Sequence, residues 1–221
     1  MPIPSKKTSS APKTARERVY QTLKQWIENN TLKQGEKIYD TELASYFEVS
    51  RTPVREAMQL LADQKLIEIR PGKESFVAPI DLSVVRENYM ILGQLQILAL
   101  RFAFPKITEQ DLEQLERINQ TIVTESISDY LSADNTFHQY IQKIAGNPFL
   151  DSFCNMLSTH ITRFQFTYLE NFTDYSKEGS FQSHQRIIDA LRAKDLDAAE
   201  KELYENFVFM LPQIDRFEKQ I

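Results

Sequence analysis

Cysteine is almost missing from this chain: Cys154 stands alone among 221 residues. That excludes a disulfide framework and a four-cysteine zinc site, and it favours a reducing compartment. Glycine is scarce as well, at five, and nine prolines do not make a collagen-like or linker-rich chain. No run approaches the roughly 20 apolar residues of a membrane span. The opening stretch MPIPSKKTSSAPKTA has no apolar core of the secretory kind, and residues 1–13 read as a disordered arm. A cytoplasmic protein with no membrane partner is expected. Positive charge is also in deficit, with 26 Lys+Arg against 31 Asp+Glu and a net charge of −5. Taken whole, that balance argues against a nucleic-acid partner.

The charge is unevenly distributed. Residues 1–80 carry 13 Lys+Arg against 10 Asp+Glu, which leaves 13 against 21 for the remainder. The pattern of apolar residues changes at the same place. Val19, Leu23, Trp26 and Ile27 follow a 3.6-residue period and predict an amphipathic helix over 16–29. A short helix is expected over 41–47, with Asp40 as its N-cap, and a third over RTPVREAMQLLADQ, capped by Ser50 or Thr52. Two short β-like runs, 66–69 and 75–78, flank Arg-Pro-Gly-Lys-Glu and read as a hairpin. Beyond Pro79 the strand signals stop. Helix-length periodic segments cover 83–104, 108–126, 129–145, 148–172, 179–193 and 195–219, joined by short breaks. The fold class is therefore mainly α: an N-terminal winged helix-turn-helix over 14–78, a linker at 79–82, and an antiparallel all-helical bundle over 83–221.

A recognition helix presents its N-terminal residues to base edges in the major groove. Here that end carries Ser50, Arg51, Thr52 and Arg55, with both arginines on one face, opposite Val54, Met58 and Leu61. Arginine can fork onto guanine or phosphate, and the hydroxyls suit phosphate. Arg70, Gly72 and Lys73 at the hairpin tip would offer positive charge to a minor groove. The plainer reading of Arg51 and Arg55 is a solvated face paired with Glu48 or Glu56. The string EVSRTPVREAMQLLADQKLIEIRPG closely resembles the DNA-binding signature of the GntR family of transcription regulators, and TLKQGEKIYDTELASYF resembles its upstream part. The resemblance covers residues 14–78 and implies a double-stranded DNA operator. Two positions depart from the pattern: Glu74 where many relatives have glycine, and Thr41 where some have arginine.

All three histidines lie in the second half. Asp134 and His138 sit four apart on an otherwise apolar stripe, His184 joins Phe181 and Leu191 on another, and Asn206 joins Leu203 and Met210 on a third. Polar groups on core-facing stripes must meet each other, water or a ligand. A buried Asp134–His138 pair with no ligand is the plainer alternative. The segments DNTFHQYIQKIAGNPFL and SHQRIIDALRAKDLDAAEKELYENF resemble the FCD-type effector domain found in the FadR branch of the same family. That resemblance implies a divalent metal (Zn, Ni or Mn) on Asp134, His138 and His184, with Asn206 standing where the last histidine ligand is usual. His160 is a substitute donor. Relatives also carry an arginine and a glutamate at what are Leu92 and Gln96 here, so Arg163, read as more simply exposed, is the remaining candidate to clamp an effector carboxylate.

The expected function is a homodimeric, ligand-responsive regulator of the bacterial cytoplasm or nucleoid. It would be a repressor released from a palindromic operator by a small, carboxylate-bearing effector. The competing reading is a metal-dependent hydrolase or lyase using Asp134, His138 and His184, against which stands the lack of an HExxH-type base or a nucleophile arrangement. An architectural DNA-binding dimer without effector is the third.

Overall fold

The structure is a computed structural model that describes residues 14–70, 72, 74–124, 126–172 and 177–219, without the side chain of Lys177. The arm expected over 1–13 and the wing residue Lys73 lie outside the described residues. Contacts divide the chain into two compact units, the first running to Ile27 and over Leu32–Ala78, the second taking Glu28–Thr31 and the chain from Pro79 onward.

The first unit begins with helix α1 (Ala15–Glu28), then strand β1 (Lys37–Ile38), α2 (Asp40–Tyr46), α3 (Arg51–Asp63) and a hairpin of β2 (Ile67–Arg70) and β3 (Glu74–Val77). Val19, Leu23 and Ile27 of α1 bury against Leu43 and Ala44 of α2 and Val54, Ala57, Met58 and Leu61 of α3. The hairpin closes over them with Ile67 and Val77, and β3 lies between β2 and β1 in an antiparallel sheet. β1 was not foreseen. Two residues give no alternation to read, and only the bond partners on β3 define the strand.

Two capping expectations need correction. α2 starts at Asp40 itself, with Tyr39 in the N-cap position and no side-chain cap, because the Asp40 carboxylate is engaged elsewhere. Ser50 is the N-cap of α3 by backbone conformation, yet neither it nor Thr52 supplies a side-chain cap bond.

The second unit contains α4 (Leu82–Ala103), a 3₁₀ turn (Phe104–Lys106), α5 (Glu109–Gln120), α6 (Ile127–Ala145), α7 (Pro148–Asn171), α8 (Lys177–Arg192), α9 (Leu196–Val208) and α10 (Leu211–Glu218). Side chains fix most starts: Asp81 accepts from the N–H groups of Ser83 and Val84, Thr108 and Asp111 form a capping box, and Asn147 precedes Pro148. Gly146, at φ 72°, ends α6 in the left-handed region that favours glycine and turns the chain into α7.

The bundle differs from expectation at two ends. The segment 108–126 is helical only to Gln120, where the β-branched run Thr-Ile-Val-Thr begins. The segment 195–219 is two helices rather than one. Pro212 has no N–H to continue the ladder and crowds the carbonyl four residues back, so α9 stops at Val208 and α10 starts afresh. α4 runs against α6, α7 and α9, and Gly93 lets α9 come close: a Cβ there would lie 3.4 Å from Cβ of Phe207. That approach helps to set Phe207 against the polar site described next.

Candidate functional site

In the first unit, the α2–α3 connection is tight, with Glu48 at φ 55° and the Val49 N–H donating to the Ala44 carbonyl. It places the start of α3 beside Asp40. Arg51 Nη2 donates to Asp40 Oδ1 at 2.9 Å, and Arg55 Nε donates to Oδ2 at 2.6 Å. The partner of both arginines is therefore Asp40, not Glu48 or Glu56. Burial pushes the Asp40 carboxyl up, but the hydrogen bonds from Arg55 and Arg51 outweigh it and hold the group below its ordinary value. Both guanidinium groups remain about half exposed, so they share a solvent-facing surface around Asp40.

The wing is partly neutralised. Arg70 donates to Glu68 at 3.0 Å and lies over the Phe76 ring, 4.3 Å from its centroid. Glu74, at the position where a glycine is usual, is bound by Lys37 at 2.6 Å. Gly72 sits at φ 91° with open space around it, so the turn needs glycine for its backbone conformation rather than for room.

In the second unit, α6 supplies Asp134 and His138, α8 supplies His184, and α9 supplies Asn206. The ligand atoms of Asp134, His138 and His184 all lie within 4.8 Å of one another, and His184 Nε2 is 3.6 Å from Asp134 Oδ1. Aromatic neighbours hold the rings. His184 stacks on Phe137 at 3.8 Å, and His138 lies 4.8 Å from Phe207. Burial pushes the Asp134 carboxyl up to about 7 and the His138 imidazole down to about 4, and burial with the nearby His138 takes His184 well below its ordinary value. Both imidazoles are therefore neutral, the form that binds metals.

These residues fit a divalent ion. Donors about 2.0–2.2 Å from one metal lie at most about 4.4 Å apart, close to the spacing here. His138 Nδ1 and both nitrogens of His184 are buried without a hydrogen-bond partner. The carboxylate-plus-two-imidazole set suits zinc, manganese or nickel. Asn206 hydrogen-bonds His138 and donates to Ser183 Oγ at 3.2 Å, so it orients a ligand ring.

The cluster opens into a cavity of about 300 Å³. Asp134, His138 and Asn206 line it, and so do Leu92 and Gln96 of α4. Two expected residues do not. Arg163 is 3% exposed, packed inside the bundle where burial lowers its guanidinium to about 10, and it does not line the cavity. The reading of Arg163 as a surface residue is thus corrected: on a helix with apolar residues on more than one face, periodicity gave no clear outside. His160 is also absent from the lining. Gln142 lines the cavity and was not foreseen, although its place four residues after His138, on the same stripe, was a usable signal.

The FCD domain family matches residues 87–207, and the family described as bacterial regulatory proteins, gntR family, matches residues 15–77. The HTH-type transcriptional repressor RspR of Escherichia coli (strain K12) is 29% identical over 189 residues, covering 84% of this chain and 82% of that protein. The HTH-type transcriptional regulator YdhC of Bacillus subtilis (strain 168) is 30% identical over 195 residues, covering 85% of each. Among solved structures, E. coli McbR/YncC superposes with a TM-score of 0.78 at 20% identity, over 94% of this chain and 100% of that one.

Proposed function

Because the chain belongs to the gntR family of bacterial regulatory proteins and carries an FCD domain behind its helix-turn-helix, we propose that it is an effector-responsive repressor that binds a palindromic operator as a homodimer. It is a transcription regulator, and the hydrolase or lyase reading of the histidine cluster falls with the family assignment. The observation that carries the proposal is the pair Arg51 and Arg55, both bound to one carboxylate at the exposed start of α3. Each guanidinium can donate in a fork to guanine or phosphate. Ser50 and Thr52 at the same helix end would take phosphate, and the wing around Arg70, Gly72 and Lys73 the neighbouring groove.

Dimerisation is supported by an unusually apolar exposed surface on the bundle. Val84, Ile91, Leu98 and Phe102 repeat along one side of α4, and Phe149, Phe153 and Met156 are exposed on α7. Apolar patches of this kind mark association surfaces. A two-fold dimer would set two recognition helices about 34 Å apart, in successive major grooves. Among the described residues, no helix is long and apolar enough to cross a membrane, and the protein would act in the bacterial cytoplasm.

Duplexes selected by the protein from a random pool provide the test. They should converge on an inverted repeat, and log affinity should fall against log salt with a slope of about −5 to −9 if six to ten phosphates are neutralised. A flat salt response, or selected duplexes without symmetry, would contradict the proposal.

The bundle would couple to DNA through its cavity, with Asp134, His138 and His184 holding a divalent ion and Asn206 setting the His138 ring. Such an ion would supply positive charge and open coordination positions for an effector; the chain's own residues orient and enclose it. Metal affinity should depend on pH in one direction. Asp134 must be ionised to ligate, and its proton is held up to about 7, whereas the His138 proton is lost above about 4. Zinc affinity, followed by competition with a chromophoric chelator, should fall about tenfold per pH unit below 7 and level off above it.

A further inference from the structure

We infer that Asp40 is a positioning residue for sequence reading: its carboxylate stays bound to Arg51 and Arg55 while the outer edges of both guanidinium groups meet the bases. This rests on the reading of α3 as the recognition helix and adds to it a residue from outside that helix.

Donor geometry carries the inference. A guanidinium is planar and presents its N–H groups along a side edge, Nε with Nη2, and an outer edge, Nη1 with Nη2. Arg51 turns its side edge to Asp40, with Nε 3.3 Å from Oδ2 and Nη2 2.9 Å from Oδ1. Arg55 uses Nε alone, 2.6 Å from Oδ2. Among the described residues, Nη1 of Arg51 and both Nη groups of Arg55 make no hydrogen bond. The outer edge of each is therefore open. Two neighbouring N–H groups are what the O6 and N7 acceptors of guanine require.

Asp40 has the capacity and the footing to stay in place. An ionised carboxylate has about four lone-pair sites, enough for both arginines. Its helix is anchored by Leu43 and Ala44, which are buried in the same core as Val54 and Met58 of α3. Asp40, Arg51 and Arg55 line one cleft of about 590 Å³ together with Gly72 and Glu74 of the hairpin, so the cluster fronts the space between α3 and the wing.

The consequence is selectivity. A long arginine side chain frozen only on binding costs about 2- to 12-fold in affinity, and one already tied to a fixed carboxylate has lost part of that freedom beforehand. The same negative charge repels phosphates whatever the sequence. The plainer role for Asp40 is an acid in the first turn of α2, favourable to that helix's N-terminus. Such a role acts on folding stability and does not distinguish one duplex from another.

The test uses the full chain with Asp40→Asn and Asp40→Ala, measured on the selected duplex and on one of equal length and composition with the order scrambled. Asp40→Asn should bind the selected duplex about 5- to 100-fold more weakly, since two arginines lose their positioning, and the scrambled duplex no more weakly than the parent. In the Arg51→Ala/Arg55→Ala background it should weaken the selected duplex by less than about twofold, because nothing remains to be positioned. Thermal melting identifies a variant that fails to fold, and Asp40→Ala then stands in for Asp40→Asn.

Equal weakening of both duplexes makes Asp40 a structural residue and overturns the inference. So does a loss that persists undiminished without the two arginines. Selected binding that falls with the arginines but not with Asp40 keeps the reading of α3 and overturns only the role of Asp40. Parent-like binding by the arginine variant overturns both.

Discussion

The Arg51→Ala/Arg55→Ala variant is expected to bind its selected duplex roughly 10²–10⁴-fold more weakly than the parent, since each forked arginine–guanine contact discriminates by about 1–3 kcal/mol. Both side chains already donate to Asp40. Any of those bonds given up on binding is a small correction, because half-exposed ion pairs contribute only about 0–1 kcal/mol. The fold should be little affected. The face of α3 that packs inward is made by Val54, Ala57, Met58 and Leu61, none of which is touched. Gel shift on the selected duplex, with thermal melting as the control for folding, checks both halves. Unchanged affinity would mean that α3 does not read the DNA.

His184→Gln should weaken zinc binding by more than about 100-fold, because even partners outside the ligand shell cost 10–100-fold when removed. Glutamine keeps much of the volume stacked on Phe137, so the loss reports the missing imidazole rather than a collapsed core. In metal-free protein the same variant should bind the selected duplex within about twofold of the parent, since His184 and α3 belong to separate compact units. Asn206→His goes the other way. It replaces an amide with an imidazole beside His138, the better donor for zinc, and should tighten the metal at least about tenfold. Competition with a chelator measures both. Equal zinc affinity in the parent and His184→Gln would remove His184 from the site.

Much of this architecture could be read from residue order because its signals are local. The periods of α1, α3, α4 and α6 lie within single helices, and Pro71-Gly72 announces a hairpin between two short runs. The three inward stripes, one bearing Asp134 and His138, one His184 and one Asn206, were also visible, and the bundle brings them together. What could not be read depends on distance in sequence. Asp40 looked like a helix cap because local spacing allows it, while its actual partners are 11 and 15 residues away across a turn. Arg163 looked exposed because the helix carrying it is packed on several sides, and one helix's period does not say how many neighbours it has. Strand β1, two residues long, exists only through β3.

The one cysteine offers an experimental opening. Cys154 is fully buried in α7, and burial, with Asp151 nearby, pushes its thiol up to about 12, far from the reactive thiolate form at neutral pH. The native chain is therefore a nearly silent background for maleimide chemistry. A cysteine placed at exposed Tyr46 on α2, or at exposed Met90 on α4, would be labelled selectively without first replacing Cys154. Labels installed in this way would report separately on the surroundings of α2 and of α4 as duplex or zinc is added.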